Sequence, residues 1–282
     1  QMFIGGLLAF GHRINLPHLI TMHGPIEDEL TRDFLSSFEG EPGIYFAAIS
    51  ENQRRHFPEL PWIRTVYNGV NPEMFPLSED KMDFLLNIGR INPDKGQAHA
   101  VEVARTLGKT LIVAGNIEDQ RYFDDQIAPY VTGRADLAGR GFPPLEATKM
   151  MLERAGEPEI IYFGEANFED KIWLYQNAKV FLNPIDWEEP FGLAMTESMA
   201  CGTPVISHAR GAAPEIIVPG KTGFLVNGTN DMIEVIERLY KRELVISALD
   251  CRQHVERNFS AQVVARNYRK AYDDVLRMGR DR

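Results

Sequence analysis

The chain has 282 residues, 44% of them hydrophobic and 10% aromatic, enough to bury a core in one large or two medium domains. A formal net charge of -10 excludes a bulk nucleic-acid or polyanionic-membrane surface, which clustered Lys and Arg would have to hold, but leaves room for a local basic pocket. The two cysteines, Cys201 and Cys251, are too few for a disulfide framework and lack metal-ligand spacing, which fits a reducing, cytoplasmic compartment.

In chain order, residues 2–10 form an apolar stretch well short of the roughly 18 residues of a membrane span. No basic segment precedes it, so it is expected to be an internal buried helix rather than a secretion signal, its upstream part missing, since the chain begins at Gln1 and not at Met. Strands are predicted at residues 19–22, 44–49 and 63–67. The first ends at His23-Gly24-Pro25 and leads into an acidic helix or lid over 27–38; Ser50 caps a polar turn after the second; Asn68-Gly69 closes the third. A polar linker with Pro72 and Pro76 follows, and the first domain is expected to span 1–78.

A second domain is expected over 79–258, with strands at 84–88, 110–114, 160–163, 180–183, 205–207 and 223–226. Helices at 99–107, 170–177, 193–200, 213–217 and 231–241 alternate with them, the order of a parallel sheet covered on both faces. Residues 132–158 interrupt the alternation and read as an insertion with a short helical piece near 147–154. Apolar residues at helical period over 260–277 predict a final amphipathic helix within a terminal segment, 259–282.

The most specific feature is the run from Glu189 to Glu197, EPFGLAMTE, a loop turning into a helix with one carboxylate before the first turn and another within it. Backbone N–H groups at Phe191, Gly192 and Leu193, with the helix dipole, make an anion site suited to a diphosphate. Carboxylates beside such a site are explained if they bind hydroxyls, as a sugar and a ribose offer. The second constellation is Gly89-Arg90-Ile-Asn-Pro-Asp-Lys95-Gly96, directly after a strand, where open α/β sheets bind ligands. Its two cations can hold a departing diphosphate without a metal, and neither Asp-x-Asp nor histidine ligand spacing occurs in the sequence. No cofactor or metal is expected.

The run DWEEPFGLAMTESMACGTPVI, residues 186–206, resembles the E-x7-E region of family 4 retaining glycosyltransferases. The likeness covers residues 16–276 and is strongest over 84–226. It implies a GT-B type α/β fold, two Rossmann-like domains facing a cleft, with the donor held by the second and a final helix crossing back to the first. Compared with the family pattern, the first domain lacks its front half, which is removed, absent from this sequence or supplied by another chain; the edge so left would need a partner chain or invite self-association. Carried over by motif, Glu189 contacts the donor sugar, Glu197 the ribose, and Arg90 with Lys95 the diphosphate. His23 is placed against the donor sugar or is simply a hydrogen-bonded strand end. The Gly211-Ala-Ala-Pro-Glu215 element resembles the family's G-x-x-P-E and supports the pocket from behind, while Glu215 can also offset a helix dipole. Ser50, Gln53 and Asn68-Gly69 match further landmarks.

Gly115, Asn116, Gly164 and Glu165 are expected at the base pocket; Trp173 reads as core, and Trp187 as core or sugar-stacking. The implied activity is transfer of a glycosyl group, with retention, from a nucleotide diphosphate sugar to a carbohydrate, lipid-linked or small-molecule acceptor. A sugar-nucleotide epimerase of the same architecture, or a nucleotide-sugar-binding module without catalysis, are the alternatives.

Overall fold

The computed structural model describes residues 16–26, 29–39, 43–136, 143–153 and 159–280. The apolar stretch 2–10 lies outside them. Two compact units result, one of Gln1–Tyr67 with Val264–Arg282 and one of Asn68–Val263.

The first unit holds a three-stranded parallel sheet in the order β1-β2-β3, from β1 (His18–Met22), β2 (Ile44–Ala48) and β3 (Trp62–Thr65). Helix α1 (Glu29–Ser36) follows β1, and α2 (Glu51–His56) follows β2, its first turn capped by the Ser50 hydroxyl accepting from Gln53 N at 3.1 Å. An edge-to-face aromatic run, Phe34–Phe38–Phe46–Trp62, with ring centroids 5.4, 5.8 and 5.9 Å apart, leads from the exposed Phe34 into the core at Phe38 and Phe46. From Val264 onward the final helix belongs to this unit: Tyr268 donates to Thr21 Oγ1 at 3.1 Å, and Arg64 pairs with Asp274 at 2.5 Å.

The second unit is built on a seven-stranded, wholly parallel sheet in the order β10-β9-β8-β4-β5-β7-β6. Its strands are β4 (Phe84–Ile88), β5 (Thr110–Ala114), β6 (Gly133–Arg134), β7 (Ile160–Gly164), β8 (Val180–Asn183), β9 (Val205–His208) and β10 (Gly223–Val226). The apolar runs FLLNI, TLIVA, IIYFG and VFLN are buried on both faces, as strands inside a helix-covered sheet must be. The chain leaves β4 towards β5 and returns later to place β8 on its other side, so the strand order reverses between β4 and β8. Crevices at such switch points, outside the strands' carboxyl ends, are where doubly wound sheets bind ligands.

Helices α3 (Gln97–Leu107), α4 (Gln120–Gln126), α5 (Pro144–Glu153), α6 (Phe168–Asn177), α7 (Leu193–Ala200), α8 (Ala213–Ile216), α9 (Thr229–Tyr240) and α10 (Ala248–Asn258) surround it; α11 (Ala261–Arg280) runs on into the first unit. Three features depart from the sequence expectation. Residues 68–78 pack on the second unit, with Val70 N donating to Phe259 O at 2.9 Å, Ser78 N to Cys201 O at 3.1 Å and the Arg252 guanidinium to Phe75 O at 2.5 Å. The segment expected to be an insertion supplies the edge strand β6 as well as α5. Helices α4 and α10 escape the pattern because each buries so little: Phe123 in the one, Cys251 and Val255 in the other. Trp173 stacks on Phe84 at 6.2 Å, in keeping with a packing role.

Candidate active site

The two loops singled out in the sequence follow the two strands that flank the switch point. After β4, Asn92 caps a tight turn by accepting from Lys95 N at 3.1 Å, which fixes where the lysine side chain starts. Gly96 then takes the left-handed conformation, with φ 63°. A Cβ there would lie 1.9 Å from Pro184 O, so only glycine lets this turn press against the chain leaving β8. Asp186 N donates to Asp94 O at 2.8 Å, and His99 Nε2 lies 2.8 Å from Asp186 Oδ2 while His99 Nδ1 lies 2.9 Å from Thr229 Oγ1. The loops are thereby fastened to each other by backbone and side chain.

Within this frame the Lys95 ammonium donates to the Glu189 carboxylate, both side chains mostly buried at 19% and 13% exposure. Trp187 Nε1 donates to the same carboxylate oxygen at 3.2 Å, and its ring lies 4.7 Å from Lys95 Nζ, a cation–π contact. The indole is thus part of the charged cluster. Ala212 N donates to Glu189 O at 2.9 Å and Gly211 N to Glu188 Oε2 at 2.9 Å. Gly211, at φ 55°, cannot be enlarged: a Cβ would lie 2.3 Å from Glu189 N. Glu215 is half-buried in the short α8, its N donating to Ala212 O at 2.9 Å, so this element supports the Glu189 loop from behind.

Gly192 initiates α7 in the left-handed conformation, φ 94°, and no side chain caps that helix start. Met195 N donates to Gly192 O at 3.1 Å, which leaves the N–H groups of Leu193 and Ala194, with the helix dipole, for an anion. The Phe191 ring is buried against Phe259, centroids 5.8 Å apart, so this residue serves the site only through its backbone, and Leu193 is 44% exposed beside it. Glu197 stands one turn into α7, within the helix expected over 193–200. Its carboxylate accepts from Lys171 Nζ at 3.2 Å and from Tyr175 OH at 3.2 Å. Burial first, then the neighbouring Glu197 charge, push the Tyr175 phenol well above its usual range, so it stays a donor. Arg90 pairs with Glu118 at 2.5 Å, and Asn92 Nδ2 donates to the other Glu118 oxygen at 2.5 Å.

Sequence reasoning missed Glu118, Lys171, Tyr175, Asp186 and His99. Only Lys171 and Tyr175, an i, i+4 pair on one helix face, carry a local signal. Gly115 and Gly164 are held by strand-end bonds, Gly115 N donating to Gly164 O at 2.8 Å, and a Cβ on Gly115 would lie 1.9 Å from Gly89 O.

In the first unit His23 is exposed at the carboxyl end of β1. The buried Gln53 amide donates to Met22 O at 3.0 Å and to Gly24 O at 2.8 Å, gripping the backbone on both sides of the histidine. Gln53 Oε1 accepts from Ile49 N at 3.0 Å, so all its polar atoms are engaged.

Two α/β units with parallel sheets of this kind define the GT-B class of glycosyltransferase folds, and solved structures bear this out. Sucrose-phosphate synthase from Thermosynechococcus elongatus matches with a TM-score of 0.71 and 20% identity, over 97% of this chain and 71% of that one. HepE of Anabaena, in complex with UDP-glucose, matches with a TM-score of 0.73 and 16% identity, over 96% and 75%. More specifically, residues 73–258 match the family described as Glycosyl transferases group 1, and the chain belongs to that family. Among curated relatives, the D-inositol 3-phosphate glycosyltransferase of Streptomyces bingchenggensis is 32% identical over 62% of this chain and 39% of its own length. The N-acetyl-alpha-D-glucosaminyl L-malate synthase of Bacillus anthracis is 29% identical over 95% of this chain and 70% of its own. The chain spans 54% of the capsular polysaccharide glycosyltransferase CapM of Staphylococcus aureus, at 25% identity. No helix among the described residues is long and apolar enough to cross a membrane.

Proposed function

We propose that this chain carries the donor site of a retaining, metal-independent glycosyltransferase that takes its sugar from a nucleotide diphosphate sugar. The observation that carries the reading is the Lys95–Glu189 pair at the switch point, a cation and a carboxylate side by side at the mouth of an uncapped helix. The diphosphate is held by Lys95, Arg90 and the first N–H groups of α7, which take up the negative charge that grows as the leaving group departs. Glu189 accepts hydrogen bonds from sugar hydroxyls and Glu197 from the ribose. The bond from the anomeric carbon to the diphosphate oxygen breaks as the acceptor oxygen bonds to that carbon on the same face, and the acceptor proton passes to the departing phosphate. His23, presented by Gln53, contacts the donor sugar.

Support comes from family membership and from the relatives, several named for sugar transfer, one solved with UDP-glucose. The acceptor is a carbohydrate, a lipid-linked sugar or a small molecule. A reducing, cytoplasmic setting suits two free cysteines whose burial raises both thiols to about 12.

Calorimetric titration of UDP, GDP and ADP sugars into the wild-type chain, Arg90→Ala and Glu197→Ala tests the site. Weakened nucleotide binding in both variants is expected; unchanged binding in both removes the assignment. Turnover measured with and without acceptor separates transfer from binding alone and from epimer formation.

A further inference from the structure

At the opposite end of the same sheet, a cavity of about 580 Å3 opens beside the amino ends of β8 and β9, where Val180 and Pro204 line it. Three cations, Lys81, Lys179 and Arg242, and one carboxylate, Glu79, face it, an excess of positive charge in a chain of net charge -10. Lys81 is already spent: its ammonium donates to Gln176 O at 2.9 Å, Cys201 O at 3.1 Å and Thr203 Oγ1 at 2.8 Å. Lys179 makes only a distant contact, 5.9 Å from the Tyr240 ring centroid. The Arg242 guanidinium has no hydrogen-bond or ion-pair partner among the described residues.

Arg242 also has φ 60°, and no other non-glycine residue described has positive φ. It closes α9 in the double-bonded motif that normally ends on glycine, Arg242 N donating to Leu239 O at 3.1 Å and Glu243 N to Arg238 O at 2.9 Å. A long charged side chain is strained in a place where glycine is at ease. Arg242 is exposed and lines the cavity, so its guanidinium stands in water, open to an anionic ligand. Two further walls define its chemistry. Ser247, whose hydroxyl oxygen caps α10 by accepting from Asp250 N at 3.4 Å, lines the cavity beside Ala248, and its O–H adds a donor there. Leu244, Val245 and Ile246 give it an apolar side, with Val245 77% exposed.

We infer that this cavity binds a phosphate-bearing small molecule with a short apolar body, its phosphate held by Arg242, Lys179 and the Ser247 hydroxyl. Because the donor loops stand at the carboxyl ends of the strands, this second anion site is separate from them and does not depend on the function proposed above. Communication between the two ends would run through β8 and β9, each four residues long.

Butyl phosphate is the probe, titrated calorimetrically and by thermal shift against the full chain. The informative variant is Arg242→Gly, which removes the guanidinium and the backbone strain together, so it is expected to fold well. Without ligand it should melt roughly 2–4 °C higher than wild type, as relief of about one left-handed residue's strain would give in a unit of this size. Its butyl phosphate affinity should fall at least about tenfold, and Lys179→Ala should lower it too. Binding should persist in Arg90→Ala/Lys95→Ala, where the donor loops have lost their cations. The inference is overturned by absence of saturable binding, by binding that survives Arg242→Gly but is lost in the donor-loop variant, or by capture on phosphatidic acid vesicles without binding of butyl phosphate.

Discussion

The Lys95 ammonium and the Glu189 carboxylate are bound to each other, although they come from loops 94 residues apart in sequence and each is proposed to hold a different part of the donor. Before a donor enters, the two charges satisfy one another in a mostly buried setting; on binding they must separate, one to phosphate and one to hydroxyl.

This exchange predicts opposite effects from the two partners. Lys95→Met should weaken nucleotide diphosphate binding about 10–100-fold, the worth of a hydrogen bond to a charged group. Glu189→Gln leaves Lys95 free of its competitor, so diphosphate binding should be equal or tighter while transfer falls. Calorimetry with the nucleotide alone and with the nucleotide sugar, alongside kcat, separates the two; parallel losses in both variants would argue against the division of labour.

Glu197 anchors as well as binds. Replacing it by Ala leaves the fully buried Tyr175 hydroxyl without its acceptor, which should cost about 1–3 kcal/mol of stability in addition to any loss of nucleotide affinity. Glu197→Gln keeps an acceptor for Tyr175, so a denaturant titration should show most of the stability restored. Equal destabilisation by both changes would mean that the charge opposite Lys171 is what matters.

Gly96 and Gly211 should tolerate no side chain. Gly96→Ala sets a Cβ against Pro184 O, and Gly211→Ala sets one against the Glu189 backbone, both at left-handed φ. Each is expected to lower stability by roughly 2 kcal/mol or more through left-handed strain and overpacking. Gly228→Ala, where nothing lies within 4 Å of the added carbon and φ is extended at 174°, is the matched control and should melt near wild type.

Two histidines make the second unit acid-sensitive. Burial lowers His208 and His254 below 6.5, each keeping one hydrogen bond to a backbone carbonyl, Ile185 and Ile216 respectively. The unfolded chain therefore binds more protons just below pH 6.5. Stability should be fully present above that value and decline as the pH falls from it through the folded-state values. Melting curves from pH 7.5 to 5 should show this decline, and NMR titration of the imidazoles should give midpoints under 6.5; midpoints above it would reverse the sign.

Much of this molecule is written locally. Four- to six-residue apolar runs bounded by glycine, proline and polar turns announce the strands, since burial on both faces demands continuous apolarity. The carboxylates of the 189–197 run and the cations of the 89–96 turn are equally plain, being short contiguous patterns. The terminal helix is legible by its period, while the unit it serves is implied only by the family resemblance, because an amphipathic face specifies that it needs cover and not what covers it. Residues 68–78 were misplaced for the same reason: their partners, Phe259, Cys201 and Arg252, lie far along the chain. The short edge strand β6 and the sparsely buried α10 carry too few apolar residues for a period to emerge. What tertiary structure alone decided is adjacency. Pairing β4 with β8 brings Lys95 to Glu189, places Lys171 and Tyr175 on Glu197, and leaves Arg242 over a cavity at the sheet's far end. Strand order is set by packing across the whole sheet, and no local pattern encodes it.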